Sequence, residues 1–335
     1  MQLSNTWKAT VGLMIGAILC LPAQAAAEKK IIMRYSHSSA AMVEEPHHTA
    51  ALDFKKYVEE KTKGRVEVQI YPASQLGGEE RAFQDVQQGV IQIASLASNN
   101  AAVFAPSLYV IDLPYLFRTN QEGWAILDKY WDELNAKTIK ESGNRIIGWL
   151  DLGYRHVCNS KRPIRTIEDL KGLKIRTMNS PTSVSMINAM GAAATPMSSG
   201  EVYTSLQQGI IDGAENNETV LVDDGHGEVA KSYTYTQHQY LPDIVIISTE
   251  TWDGMTEEEQ NDLRKAMKDA WQAHETEWNK IVERNKTGAK EMGVQFYKID
   301  KTAFIEACKP LQEEFCAKSE DNARYFAEFQ SYLDK

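Results

Sequence analysis

The feature that most constrains the fold is a nine-residue segment that occurs twice in the chain. Residues 86–94 read VQQGVIQIA and residues 206–214 read LQQGIIDGA. In each copy a helical stretch ends at a glycine, Gly89 or Gly209, and an apolar strand follows. Two copies are too few for a solenoid. The repeat therefore predicts two similar lobes, each with a helix that leads into a strand.

The region around the first copy alternates strands with helices, which is typical of an α/β layer fold. The pattern predicts a strand at 31–35, a helix at 46–62, a strand at 66–70, a helix at 79–88 and a strand at 91–96. The chain has 335 residues, more than the ~250–300 over which a single core usually grows. Length and repeat therefore both favour two lobes.

The longest predicted helix begins at Thr256, which forms a capping box with Glu259. Apolar residues then recur every three or four positions and form one stripe: Leu263, Met267, Trp271, His274, Trp278 and Ile281. The pattern continues toward Met292 and predicts a helix of ~55 Å, longer than one lobe. Two helices with a break near Asn285 are the alternative.

The N-terminus has the pattern of an export signal. Lys8 precedes an apolar run at 11–21, and Ala23-Gln24-Ala25 resembles a signal peptidase site. The run is shorter than the ~20 apolar residues of a membrane span, and a buried strand is the alternative. We expect residues 1–26 to be a signal peptide, and the mature protein to be periplasmic with no direct membrane insertion.

Charge and cysteine content exclude several classes of protein. The formal net charge of −10 argues against a nucleic-acid partner and against an anionic membrane surface. After signal removal Cys158, Cys308 and Cys316 remain, an odd number without metal-binding spacing. A disulfide between Cys308 and Cys316 needs a turn near Pro310, since on an unbroken helix they lie ~12 Å apart. A disulfide and buried thiols both stay open.

Sequence motifs of enzymes, metal sites and cofactor sites are missing. The chain has no G-x-S-x-G, H-E-x-x-H, P-loop or G-x-G-x-x-G motif. His47 and His48 are adjacent, so they do not share a helix face. We expect neither catalysis, nor a metal, nor a cofactor, although a nucleophile built from distant loops leaves no motif.

Two arginines and an asparagine are the candidate ligand-binding residues. Arg176 lies in a strand after Gly172, and Arg155 follows the strand that begins at Ile146. A guanidinium holds a carboxylate through two parallel hydrogen bonds and stays charged when buried. Asn216 follows the second repeat copy, and Asn99 and Asn100 follow the first. Polar groups at corresponding strand ends predict a cleft between the lobes.

At these residues the chain resembles the solute receptors of tripartite ATP-independent periplasmic (TRAP) transporters. The resemblance covers nearly the whole mature chain and several motifs in order: YPASQLG at 71–77, DLPYLF at 112–117, DLKGLKIR at 169–176, GEVYTSLQ at 200–207 and DGAEN at 212–216. It implies a two-lobed, type II-like α/β binding protein with a hinge, a long helix under both lobes, and closure around an organic acid. It also implies that Arg176 holds the ligand carboxylate, and that Arg155 and Asn216 support that contact.

The resemblance further implies delivery of the ligand to membrane permease subunits, and we expect a monomer. We expect residues 27–152 and 243–281 to form the first lobe, and residues 153–242 and 282–335 the second. The alternative to transport is that the receptor delivers its ligand signal to a sensing protein.

The ligand class follows from details of the same motifs. Sialic-acid receptors have a glutamate where this chain has Ala97, and the segments at 212–217 and 226–230 are similar to the branch that binds hexuronates. A sugar acid also needs hydroxyl partners, for which the candidates are His37, Asn99, Asn100, Tyr154 and Gln237, with Trp149 as a wall. A C4-dicarboxylate or 2-keto acid is the second candidate ligand, and a secreted sugar-acid lyase is the alternative from another class.

Overall fold

The computed structural model describes residues 30–42 and 45–333, apart from the side chains of residues 271–277. The predicted signal peptide lies outside the described residues. No helix within them is long and apolar enough to cross a membrane.

The strands form one continuous mixed sheet. Its members are β1 (Ile31–Ser36), β2 (Val66–Tyr71), β3 (Ile93–Ala97), β4 (Asn144–Asn159), β5 (Lys174–Thr177), β6 (Ala193–Pro196), β7 (Gly213–Asn216), β8 (Ser232–Ser248) and β9 (Gln295–Lys298). The strand order is β2-β1-β3-β8-β4-β7-β5-β6, and β9 pairs with β8. The first lobe is built on β1–β3, and the second on β5–β7 and β9.

Helices cover the sheet. They are α1 (Pro46–Lys61), α2 (Glu79–Gln87), α3 (Ser98–Ala101), α4 (Asn120–Ser142), α5 (Pro181–Ala189), α6 (Val202–Gln207), α7 (His226–Val229), α8 (Thr249–Asp253), α9 (Glu257–Glu291), α10 (Thr302–Ala317) and α11 (Glu320–Leu333). In the first lobe Phe54 of α1 and Phe83 of α2 belong to two separate hydrophobic clusters. In the second lobe Ile187 of α5 and Leu206 of α6 also belong to separate clusters. Each lobe therefore has its own α/β core, as the sequence predicted.

Two long strands, β4 and β8, run through both lobes as an antiparallel pair. One end of β8 pairs with β3 and the other with β9. The β4–β8 register shifts between Asp151 and Tyr154, and again between Arg155 and Val157. Irregular pairing bends a two-stranded ribbon locally. The β4–β8 pair therefore bends where it passes from one lobe to the other, which is the position expected for the predicted hinge.

The repeat occupies equivalent places in the two lobes. The first copy ends α2 and leads into β3, and the second ends α6 and leads into β7. Gly89 has φ +71° and Gly209 has φ +70°, a left-handed conformation that glycine adopts without strain. β3 pairs antiparallel with β8, and β7 pairs antiparallel with β4. The prediction of two similar lobes is therefore confirmed.

Helix α9 is continuous over 35 residues, and its capping box between Thr256 and Glu259 is present. The predicted alternative, a break near Asn285, is wrong. The Asn285 amide donates to Asp223 Oδ2 at 3.0 Å and to Ile281 O at 3.2 Å, so it binds a neighbouring segment without ending the helix. Leu263 packs in a first-lobe cluster and Ala289 in a second-lobe cluster. The helix therefore supports both lobes.

The C-terminal helices contact both lobes. Phe304 of α10 packs with the second-lobe core, whereas Phe315 of α10 and Phe329 of α11 pack with the first-lobe core. The lobe boundaries predicted from the sequence stay a prediction, and this packing favours dividing residues 282–335 between the lobes.

The three described cysteines are free thiols. Helix α10 continues through Pro310, so Cys308 and Cys316 lie on one helix. Eight residues along a helix span ~12 Å, too far for a disulfide.

Candidate functional site

A cavity of about 180 Å³ lies between the lobes. It is smaller than the roughly 300–1,000 Å³ typical of drug-sized ligands. Its wall includes Glu79 and Asn100 from the first lobe, Arg176 and Asn216 from the second, and Asp243 from the long strand β8. The three residues predicted to bind a carboxylate, Arg155, Arg176 and Asn216, all line it.

Arg155 is buried on β4 and already has a carboxylate partner. Its guanidinium forms a salt bridge with the Glu215 side chain, and its Nη2 donates to Glu215 O at 2.7 Å. Burial by itself raises the pKa of Glu215. The Arg155 charge and the hydrogen bonds from His238 and Arg155 together outweigh burial and hold that pKa at about 2. The two charges therefore cancel, and Arg155 brings little net positive charge to the cavity.

Arg176, on β5, has no such partner. Its Nε and Nη2 donate to the same acceptor, Met197 O, at 3.0 and 2.8 Å. Within the described residues it forms no ion pair, and no hydrogen bond uses its Nη1. The residue is only 4% exposed, and burial lowers its pKa to about 10. A buried, unpaired guanidinium is costly, and an anion in the cavity would compensate its charge.

Asn216 ends β7 beside His156 of β4, which brings its side chain next to Arg155. Its Oδ1 accepts from Arg155 Nη1 at 3.0 Å and from Asn217 N at 2.9 Å. These two bonds occupy the oxygen, so the Nδ2 group is the part of this amide left to donate to a ligand.

The rest of the cavity wall is strongly acidic. Six carboxylic side chains line it: Glu45, Glu79, Glu80, Asp223, Asp224 and Asp243. Glu79 is oriented by three donors, Ser38 Oγ at 2.8 Å, Ala97 N at 3.0 Å and Asn100 Nδ2 at 2.7 Å. Within the described residues no group of His, Cys, Asp and Glu is arranged to hold a metal ion. The acids offer hydrogen-bond acceptors to the cavity, and the charges of Glu79 and Glu80 act on Arg176.

His47, at the start of α1, lies between two of these acids. Its Nδ1 is 3.1 Å from Glu45 Oε1, and its Nε2 is 3.8 Å from Asp243 Oδ2. Burial opposes the charged ring, but Glu45 and then Asp243 raise the pKa of His47 to about 9. His47 is therefore charged at neutral pH and paired with Glu45.

Of the residues predicted to contact ligand hydroxyls, only Asn100 lines this cavity. The structure places the other five elsewhere. His37 contacts His48, Asn99 donates to Ser183, Trp149 packs edge-on against Trp131, Tyr154 packs against Tyr240, and Gln237 accepts from Lys301.

Sequence reasoning missed Glu45, His47, Glu79 and Asp243. Asp243 had a recognisable signal, because it is a single acid at the start of the apolar run Ile244–Ile247. His47 gives no metal-binding pattern in the sequence. Of its two acid partners Glu45 is two residues away, whereas Asp243 is distant in sequence.

Comparison with known proteins identifies the architecture. Residues 37–319 match the model of the bacterial extracellular solute-binding protein family 7, DctP. The chain belongs to this family. Its TRAP solute receptors bind solutes and are not enzymes, so the lyase alternative is set aside.

Solved structures of TRAP receptors share the fold of this one. The protein from Anaerococcus prevotii, solved with bound D-glucuronate, is 36% identical with a TM-score of 0.88, over 91% of this chain and 99% of that one. The protein from Xanthobacter autotrophicus, solved with bound β-D-galacturonate, is 32% identical with a TM-score of 0.85, over 89% and 99% of the two chains. The 2,3-diketo-L-gulonate-binding periplasmic protein YiaO of Escherichia coli is 32% identical over 89% of this chain and 90% of its own. The predicted two-lobed receptor fold is confirmed.

Proposed function

We propose that this receptor binds a hexuronate or a related sugar acid in its cavity and passes it to the membrane permease subunits of a TRAP transporter. The observation that carries the proposal is Arg176. Among the described residues that line the cavity, it is the cation without a carboxylate partner, since Arg155 pairs with Glu215 and His47 with Glu45.

One uncompensated guanidinium matches a ligand with one carboxylate. Arg176 Nη1 and Asn216 Nδ2 are two second-lobe donors with no hydrogen-bond acceptor among the described residues. A carboxylate held there would gain charge-assisted hydrogen bonds in a site that excludes water. Asn216 would act as a neutral second donor, and Arg155 would hold Asn216 in place.

The acidic wall favours a sugar acid over a C4-dicarboxylate. A second carboxylate would lie among groups such as Glu79, Glu80 and Asp223, and would be repelled. Hydroxyl groups, by contrast, donate to carboxylates and carry no charge. The ligands named for the Anaerococcus, Xanthobacter and Escherichia relatives, two hexuronates and a diketo-gulonate, support this choice.

A ligand that contacts both lobes would favour the closed form, because only that form offers all of its contacts. The proposed cycle is capture in the periplasm, closure, and release at the permease. We expect the receptor to act as a monomer after removal of residues 1–26.

Titration calorimetry of the mature chain tests this function. D-glucuronate and D-galacturonate should bind, and succinate and a simple 2-keto acid should bind much more weakly. Arg176→Ala should lose about 2–5 kcal/mol of binding free energy, the range for removing one partner of a buried charge pair. Arg176→Lys should also bind weakly, because a lysine lacks the planar fork.

Arg324→Ala is the matched control, since Arg324 lies on α11 outside the cavity. It should bind with unchanged affinity. Near-native affinity of Arg176→Ala for hexuronates, or tighter binding of succinate than of any hexuronate, would refute the proposal. Mass spectrometry should recover the ligand unchanged after overnight incubation.

A further inference from the structure

The Asp243 carboxyl is buried at the cavity wall, and one of its two oxygens has no hydrogen-bond donor. Its Oδ1 has no partner among the described residues. Its Oδ2 lies 3.8 Å from His47 Nε2, beyond hydrogen-bond distance. Buried polar groups in proteins are almost always paired. Oδ1 is therefore open to a donor from a molecule in the cavity.

The backbone of Asp243 is held in the sheet, and apolar residues lie beside it. Its backbone pairs with Ala97 of β3 and with Leu150 of β4, at the base of the cleft. Ala97, Met178 and Leu241 form a small hydrophobic cluster at this level of the structure. The Asp243 side chain is 5% exposed, and the residue lines the cavity. A donor can therefore reach it from the cavity.

We infer that Asp243 determines the specificity of the receptor by accepting a hydrogen bond from a ligand hydroxyl. The inference rests on the proposed sugar-acid function and assigns the polar end of the ligand to one side chain. Arg176 would bind the ligand carboxylate from the second lobe. Asp243, on β8 at the base of the first lobe, would accept a hydrogen bond from a ligand hydroxyl.

The neighbours of Asp243 favour a hydroxyl over other donors. The charged His47 ring repels an ammonium group, so an amine would be a poor donor here. A ligand carboxylate brings no donor and would add a negative charge to a wall that already holds Glu45 and Glu79. A ligand without a hydroxyl at this position would leave the carboxyl unpaired in a closed cavity, which weakens binding.

Calorimetry with D-glucuronate and its 2-, 3- and 4-deoxy analogues tests the inference. For the unmodified chain, one deoxy analogue should bind roughly 5- to 150-fold more weakly than the parent, the range for leaving a buried acceptor unpaired. Asp243→Ala should weaken binding of the parent and remove most of its advantage over that one analogue. Asp243→Asn keeps the shape of the side chain and should partly reduce the affinity difference between the parent and that analogue. This variant still tests the inference if the alanine variant does not fold.

Asp112→Asn is the matched control. Asp112 is also a buried first-lobe acid, held by Ser98, but it does not line the cavity. Its replacement should leave the ratio between parent and analogues unchanged.

Two results would overturn the inference, and they are distinguishable. If both Asp243 variants keep the full ratio, Asp243 does not read a hydroxyl, while the proposed function stands because hexuronates still bind. If the unmodified chain binds no hexuronate, both proposals fail.

Discussion

Asn99 Nδ2 donates a hydrogen bond of 2.8 Å to Ser183 Oγ, and so joins helix α3 of the first lobe to helix α5 of the second. Both side chains are fully buried. Neither residue lines the ligand cavity. A bond between opposite lobes exists only while they are closed, so this pair stabilises the closed form without touching the ligand.

Ser183→Ala should therefore weaken ligand binding by about 0.5–1.5 kcal/mol, the net contribution of one hydrogen bond. The loss should lie mainly in a faster dissociation rate, which stopped-flow fluorescence measures. Ser185→Ala, on the exposed face of the same helix, is the control and should behave like the unmodified chain. An unchanged dissociation rate in Ser183→Ala would show that the contact does not contribute to closure.

Glu215→Gln should destabilise the ligand-free protein by about 3–5 kcal/mol, because it leaves the buried Arg155 charge without compensation. Urea denaturation measures the loss. Glu168→Gln, at an exposed site, is the control and should change stability little. If Glu215→Gln is as stable as the control, Arg155 is not neutralised by Glu215. Arg176 would then not be the one uncompensated cation among the described residues that line the cavity.

The stability of the protein should fall between about pH 7 and pH 9 through His47. The folded-state pKa of His47 is raised from 6.5 to about 9, so its contribution is complete below pH 6.5 and is lost as pH rises through 9. Burial raises the pKa of Asp243 from 3.8 to about 7, so stability also falls through this carboxyl as pH rises toward 7 and somewhat beyond. The part of the fall nearest pH 9 belongs to His47.

Urea denaturation of the unmodified chain and of His47→Gln, at half-unit steps from pH 6 to 9.5, checks this. The glutamine variant should be less stable at pH 6.5 and should show a flatter profile above pH 7. Parallel profiles for the two proteins would contradict the assignment.

The lobes and the long helix could be predicted because their signals are local. A glycine that ends a helix before an apolar strand, as at Gly89 and Gly209, acts within one turn of the chain. The Thr256–Glu259 capping box likewise specifies where α9 begins. The continuity of α9 past Asn285 was open in the sequence. In the structure the helix continues and the Asn285 side chain binds Asp223, a residue far away in the chain.

The site was predicted only in part, because its chemistry depends on pairs of distant residues. Arg155 and Arg176 look alike as buried-strand arginines. Arg155, however, forms a salt bridge with Glu215, 60 residues further on, and the carboxylate neutralises its charge. The register between β4 and β7 decides this contact. A shift of one residue would turn the side chains to the other face of the sheet, and residue types alone do not reveal the register.

The sequence by itself determined two α/β lobes, a long supporting helix, and an arginine suited to a carboxylate, since each follows from local propensity or from the chemistry of one side chain. Only the tertiary structure decided which arginine is left uncompensated and which acids surround it. It also showed that Asp243, rather than His37 or Gln237, lines the cavity. The physical reason is that net charge and hydrogen-bond satisfaction at a buried site are sums over neighbours, and strand register and lobe closure choose those neighbours.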